Sequence, residues 1–158
     1  MNVGHDEMSV FECDASKELM VRLKQDAELV QSVTDLASSR GIEAASFTAI
    51  GALKRARIGF YYQKNHKYRE MEIESPHEIV SCIGNVSLSE GKPFVHVHVV
   101  LADEKGNTRA GHLLQGTVFA AEVHVRQLEG LKLERRHDEA TGLWLWGTEQ
   151  GPFYTQNA

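Results

Sequence analysis

Six consecutive residues, Phe94-Val95-His96-Val97-His98-Val99, alternate strictly along the chain, and no other stretch limits the fold as tightly. Strand side chains point to opposite faces with a period of two. The pattern therefore puts Val95, Val97 and Val99 on one face and His96 and His98 on the other. The valine face predicts a core. The histidine face is left for something else.

The next segment, Asp103-Glu104-Lys105-Gly106-Asn107, is turn-forming. Read as a hairpin loop centred on Lys105, it pairs Ala102 with Thr108 and, counting back, His98 with His112. Directly opposed residues hold their Cβ atoms roughly 5 Å apart, and diagonal neighbours such as His96 roughly 7–8 Å. Zinc bonds imidazole nitrogen at about 2.0–2.1 Å, so rings at those offsets reach one ion. A slip of one residue would turn His112 to the core side. The register that buries the valines thus also gathers His96, His98 and His112 as candidate ligands of a divalent metal, zinc foremost, with an open fourth position. The plainer alternative is a solvated strand face or hydrogen-bonded imidazoles.

Glu122 is a candidate for the same site. In Thr117–Val125 the core face reads as Phe119, Ala121, Val123 and Val125, leaving Ala120, Glu122 and His124 opposite. A tight turn at Gln115-Gly116 would aim Glu122 at the metal side. There it is a fourth ligand, an outer orienting group or a general acid or base on metal-bound water; a solvent-facing Glu is the equal alternative. Asn85, after Gly84, is either a pocket residue or a turn residue. Lys54, Arg55, Arg57 and Arg69 form either a phosphate-binding patch or, with Glu70, Glu72 and Glu74, a mixed-charge solvated hairpin. His5, His66 and His137 read as surface residues, and His77 has no evident partner. Trp144 and Trp146, with Phe153 and Tyr154, are expected to cover a core edge or a subunit contact.

Around these residues the chain predicts an α+β fold, strand-rich and antiparallel, with one principal helix. Asp26–Arg40 is the helix, with Asp26 as N-cap, Leu29, Val30, Val33, Leu36 and Ala37 at helical spacing, and Gly41 as C′. Ala56–Gln63, Tyr68–Glu74, Glu78–Val86, Phe94–Ala102, Ala110–Leu114 and Thr117–Leu128 read as strands joined by short turns. With 158 residues and no repeat or linker, a single domain over 1–158 is expected, with its core at about 9–130 and a C-terminal extension over 131–158. Apolar runs are short and the first residues polar, which predicts a soluble cytoplasmic protein without a membrane span or signal peptide. Cys13 and Cys82, isolated from one another, fit reduced thiols. A formal net charge of −5 weighs against a chain that lives by neutralising phosphates.

Phe47-Thr48-Ala49-Ile50-Gly51-Ala52-Leu53, Glu78–Ser87, Pro93–His98 and Gly111-His112-Leu113, in that order, resemble the bacterial and archaeal branch of the plant and prokaryote conserved domain family. The resemblance runs from the Asp26 helix to about Leu128. It implies an antiparallel strand-rich domain, a homotrimer, and His96, His98 and His112 as metal ligands. The family is often labelled DNA-binding, largely through plant members with an Arg-Gly-Arg-Pro hook. Here the only Arg-Gly pair is Arg40-Gly41, followed by Ile42. A more distant resemblance is to acetolactate decarboxylase, a zinc enzyme acting on a small acid. Two functions follow. One is a metal module that binds or acts on a small oxygen-rich molecule, as a zinc-dependent lyase or hydrolase if it is an enzyme. The other is a DNA-binding regulator using Lys54, Arg55, Arg57 and Arg69, with a structural metal.

Overall fold

A computed structural model describes residue 13 and residues 15–147. In chain order the elements are β1 (Ala15–Leu23), α1 (Leu29–Arg40), β2 (Ala45–Tyr62), β3 (Lys67–Ile73), β4 (His77–Ser89), β5 (Lys92–Ala102), β6 (Thr108–Glu129), β7 (Arg135–Asp138) and β8 (Leu143–Trp146). All strand pairings between them are antiparallel. The main sheet runs β1-β6-β5-β4-β2-β3, and β6 also bonds to β2, so β2, β6, β5 and β4 close into a ring. No helix of the described residues is long and apolar enough to cross a membrane.

Val95, Val97, Val99 and Leu101 of β5 all turn into the core. They meet Phe47 and Leu53 of β2, Cys82 and Val86 of β4, and Leu113, Val118, Val123 and Val125 of β6 in one buried cluster. Helix α1 closes that cluster with Leu29, Val33 and Ala37, lying against β5 and β6. Cys82 is walled in so completely that burial pushes its thiol up to about 12, and it stays protonated.

The helix begins later than the sequence suggests. Its N-cap is Glu28, not Asp26: the Glu28 carboxylate accepts from Val30 N at 3.2 Å and Gln31 N at 2.6 Å, and from Gly116 N at 2.9 Å across the fold. Asp26 instead takes φ 66° and pairs with Lys54 Nζ at 2.6 Å, while its amide donates to the Val118 carbonyl at 2.8 Å. Gly41 does end the helix, at φ 63°, with Ile42 N donating back to Ala37 O at 2.9 Å.

Three strand expectations are corrected. The segments Ala110–Leu114 and Thr117–Leu128 are one 22-residue strand, with no turn between them. Gly116 stays extended, and its lack of a side chain serves close packing: a Cβ there would sit 3.1 Å from Leu53 Cδ1. Phe119 is exposed and Val118 buried, because β6 slips its register against β2 between the Ala52 and Leu53 pairings. β2 starts at Ala45 rather than Ala56, and β1 went unforeseen.

Gly51 sits where the β2–β4 register shifts, at φ 133°. A Cβ at this position would collide with the Ala120 carbonyl of β6. Gly51→Ala therefore combines backbone strain with a backbone clash and is expected to cost about 2–4 kcal/mol, read as a lower urea midpoint.

Candidate metal centre

The β5–β6 turn sets the geometry. Asp103 locks the loop from within: its Oδ1 accepts from Lys105 N at 2.8 Å and Asn107 N at 2.9 Å, and its Oδ2 from Asn107 Nδ2 at 2.9 Å. Gly106 supplies φ 78°. Ala102 then pairs with Thr108 and His98 with His112, as the count along the sequence requires. On its other side β5 pairs with β4, placing His96 opposite Asn85 and His98 opposite Ile83.

The three imidazoles meet outside the core. Ring centroids lie 5.1 Å apart for His96–His98, 5.1 Å for His96–His112 and 5.5 Å for His98–His112. One nitrogen from each falls within 4.8 Å of the others. His96 Nε2 and His98 Nε2 are 3.2 Å apart. Two nitrogens bound tetrahedrally to one zinc would be about 3.3 Å apart, from bond lengths of about 2.0–2.1 Å. His112 Nδ1 is buried and has no hydrogen-bond partner among the described residues, a cost that a bound cation would relieve. The donor set therefore fits a divalent ion.

Protonation favours the same role. Burial, then the neighbouring His112, Arg135 and His98, hold His96 down at about 4. Burial, then His98 and Arg135, also hold His112 below the ordinary imidazole range. Both are neutral at pH 7, with lone pairs available. Tyr68 lies against His112, ring centroids 5.8 Å apart, and burial followed by Tyr61 raises its hydroxyl. It stays a proton donor rather than a base.

The other predicted residues divide. Asn85 is no turn residue but lies inside β4 beside His96, its Oδ1 accepting from Arg135 Nη2 at 3.1 Å. Glu122 does not join the histidines. Because β6 continues straight through Gly116, Glu122 lies opposite Ile50 and Arg22, up to about 33 Å along the strand from His112 at roughly 3.3 Å per residue. Lys54 is held by Asp26, Arg57 by Glu70 at 3.0 Å and Glu72 at 3.9 Å, and Arg55 donates to Thr117 Oγ1 at 3.2 Å. Arg69 stands opposite Phe60 on β3. Arg57 thus pairs within the β2–β3 hairpin, while Lys54 and Arg55 bond to residues outside it. His77 is buried, with Nδ1 2.9 Å from Ser75 O, while His66 and His137 are exposed. His5, Phe153 and Tyr154 lie outside the described residues.

Arg135 was missed. It is buried on β7, where Nε donates to Ser87 Oγ at 2.8 Å and Nη1 to the Trp144 carbonyl at 2.6 Å. The alternation Leu131, Leu133, Arg135, all buried, was the available signal. The β7–β8 hairpin that carries it starts beside β4, where Leu88 N donates to Leu133 O at 2.7 Å. Its tip reaches β2, where Tyr61 donates to Thr141 O at 2.8 Å. Within the hairpin the rings of His137 and Trp144 are in contact.

Residues 10–129 match the Plants and Prokaryotes Conserved domain. A metal-containing protein of Archaeoglobus fulgidus is 43% identical, with a TM-score of 0.85 over 88% of this chain and 99% of that one. A plant- and prokaryote-conserved protein of Pyrococcus horikoshii is 35% identical, with a TM-score of 0.79 over 90% and 96%. A candidate DNA-binding protein of Bacteroides thetaiotaomicron shares the fold at 22% identity, with a TM-score of 0.79 over 86% and 98%. The α-acetolactate decarboxylase of Bacillus subtilis overlaps at a TM-score of only 0.47, with 11% identity over 89% of this chain and 62% of that one. That overlap is too remote to carry a functional argument. No curated protein matches this chain.

The low His96 value fixes a sign. Between about pH 6.5 and about 4 the unfolded chain protonates this imidazole while the folded chain does not. Metal-free protein should therefore lose stability as pH falls through that window. The urea midpoint should drop accordingly, and less steeply in His96→Gln.

Proposed function

The chain belongs to the Plants and Prokaryotes Conserved domain family, and we propose that it is a metal-binding module whose His96, His98 and His112 hold one divalent ion, zinc by donor chemistry, for a small oxygen-rich ligand. The observation that carries this reading is the convergence of three imidazoles, one nitrogen from each within 4.8 Å of the others. The metal-containing relative at 43% identity supports it.

Nitrogen donors on a rigid hairpin suit zinc among the common divalent ions, since magnesium and calcium favour oxygen. When bound, the ion would polarise a carbonyl or hydroxyl oxygen or acidify a water. The protein's own part is to hold the rings and to keep His96 and His112 neutral. Tyr68 adds a proton donor beside His112. With Glu122 distant, no carboxylate among the described residues joins the cluster, so the reading is ligand binding first. Lyase or hydrolase chemistry would need a proton acceptor from the ligand or a second copy.

Assembly as a homotrimer in the cytoplasm belongs to the same proposal. Met20, Ile50, Phe60, Val80, Ile83 and Phe119 are large apolar side chains exposed on one chain, which subunit contacts would cover. DNA binding is the weaker reading, because Lys54 and Arg57 already face carboxylates.

Protein purified without a histidine tag should carry one zinc per chain, measured by elemental analysis, and should not retard DNA at moderate salt. His98→Ala or His112→Ala should lower metal affinity by at least about 100-fold, since removing a ligand costs more than disturbing its outer partners. The circular dichroism spectrum should stay unchanged, because the core is built without the ion. Metal-free wild type that shifts DNA would reverse the preference, and unfolding on metal loss would make the ion structural.

A further inference from the structure

Beside the histidines lies a charge without a counter-charge. Arg135 is 5% exposed, yet no Asp or Glu among the described residues pairs with its guanidinium. Its partners are all uncharged: Ser87 Oγ at 2.8 Å, Asn85 Oδ1 at 3.1 Å, the Trp144 carbonyl at 2.6 Å, and the Phe94 ring, whose centroid is 4.7 Å from Cζ. Buried cations are ordinarily paired, because leaving one alone in a low dielectric is costly. A guanidinium has five N–H groups, and these contacts leave two of them unused.

The position follows from the β4–β5 register. Ser87 pairs with Phe94 and Asn85 with His96. Arg135 bonds to both β4 residues and stacks on Phe94, so it lies next to His96, the following residue on that strand face. Asn85 completes the arrangement. Arginine only donates, so Asn85 must turn its carbonyl oxygen toward Arg135. Its two amide N–H groups are left with no partner among the described residues.

We infer that Arg135, delivered by the β7–β8 hairpin, is the anion-receiving wall of the histidine site, and that the site's ligand is a small carboxylate spanning the metal and Arg135. The inference rests on the metal reading above and narrows its ligand class. One guanidinium with two spare, coplanar N–H groups matches the two oxygens of one carboxylate. Asn85 Nδ2 is a third donor on the same side. The hairpin lies beyond residues 10–129, where the family match ends.

The test uses the full chain loaded with cobalt(II), whose visible absorption reports changes at the ion, titrated with pyruvate. Pyruvate should saturate a spectral shift in the wild type, and Arg135→Gln should weaken it by about 10- to 100-fold, the worth of a charged hydrogen bond. Arg135→Lys, keeping the charge but not the fork, should fall between. Pyruvamide should bind wild type no better than pyruvate binds Arg135→Gln. Equal pyruvate affinity in wild type and Arg135→Gln, or tighter binding of inorganic phosphate, overturns the inference while leaving the metal reading intact. Wild type that takes up no cobalt removes the metal reading itself. A crystal structure of the metal-loaded wild type with pyruvate gives a variant-free check. The carboxylate should lie within hydrogen-bond distance of the Arg135 guanidinium, and a carboxylate from a second copy in that place would overturn the inference.

Discussion

The pairing of β5 with β6 across the Asp103–Asn107 loop is the constraint on which the rest depends. Strand faces alternate, so one register decides two things together. It buries Val95, Val97, Val99 and Leu101, and it opposes His98 to His112. Moving the pairing by one residue would expose the valines and scatter the imidazoles. Core and site are therefore the two sides of one choice, which the Asp103 hydrogen bonds and the left-handed Gly106 enforce from the turn.

Legibility in the sequence followed locality. The histidine cluster was readable because its ligands lie on two strands joined by a short loop, where counting suffices. Glu122 was misjudged because Gly116 has two physical uses. A glycine in a polar dipeptide signals a turn, yet here it lets Leu53 pack close to an extended strand. Phe119 was assigned inward because a register slip is silent in the residue pattern. β1 escaped notice for another reason: its inward residues Leu19, Val21 and Leu23 alternate only over the last five positions, and the exposed Met20 blurs the pattern. Asp26 looked the better helix cap, but Glu28 also reaches Gly116 across the fold, and that tertiary bond decides.

The charge balance around the histidines also runs against first expectation. The whole chain is acidic, yet the surroundings of this cluster hold a buried arginine and lack a carboxylate. That local excess of positive charge adds to burial in keeping His96 and His112 unprotonated. Net charge, read from composition, speaks about the outer surface. It says little about a partly enclosed corner of the fold, where a few side chains under a hairpin set the potential.

The length of β6 has a consequence for how the chain finds its structure. Its 22 residues serve partners at very different distances along the sequence. Joining β5 closes a loop of only a few residues, whereas joining β1 closes one of about 100. The entropy of loop closure grows with the logarithm of length, so the first event is favoured by about 2–3 kcal/mol over the second. The hairpin that carries all three imidazoles thus belongs to the early, inexpensive part of folding, and β1 docks onto an edge that others have already shaped.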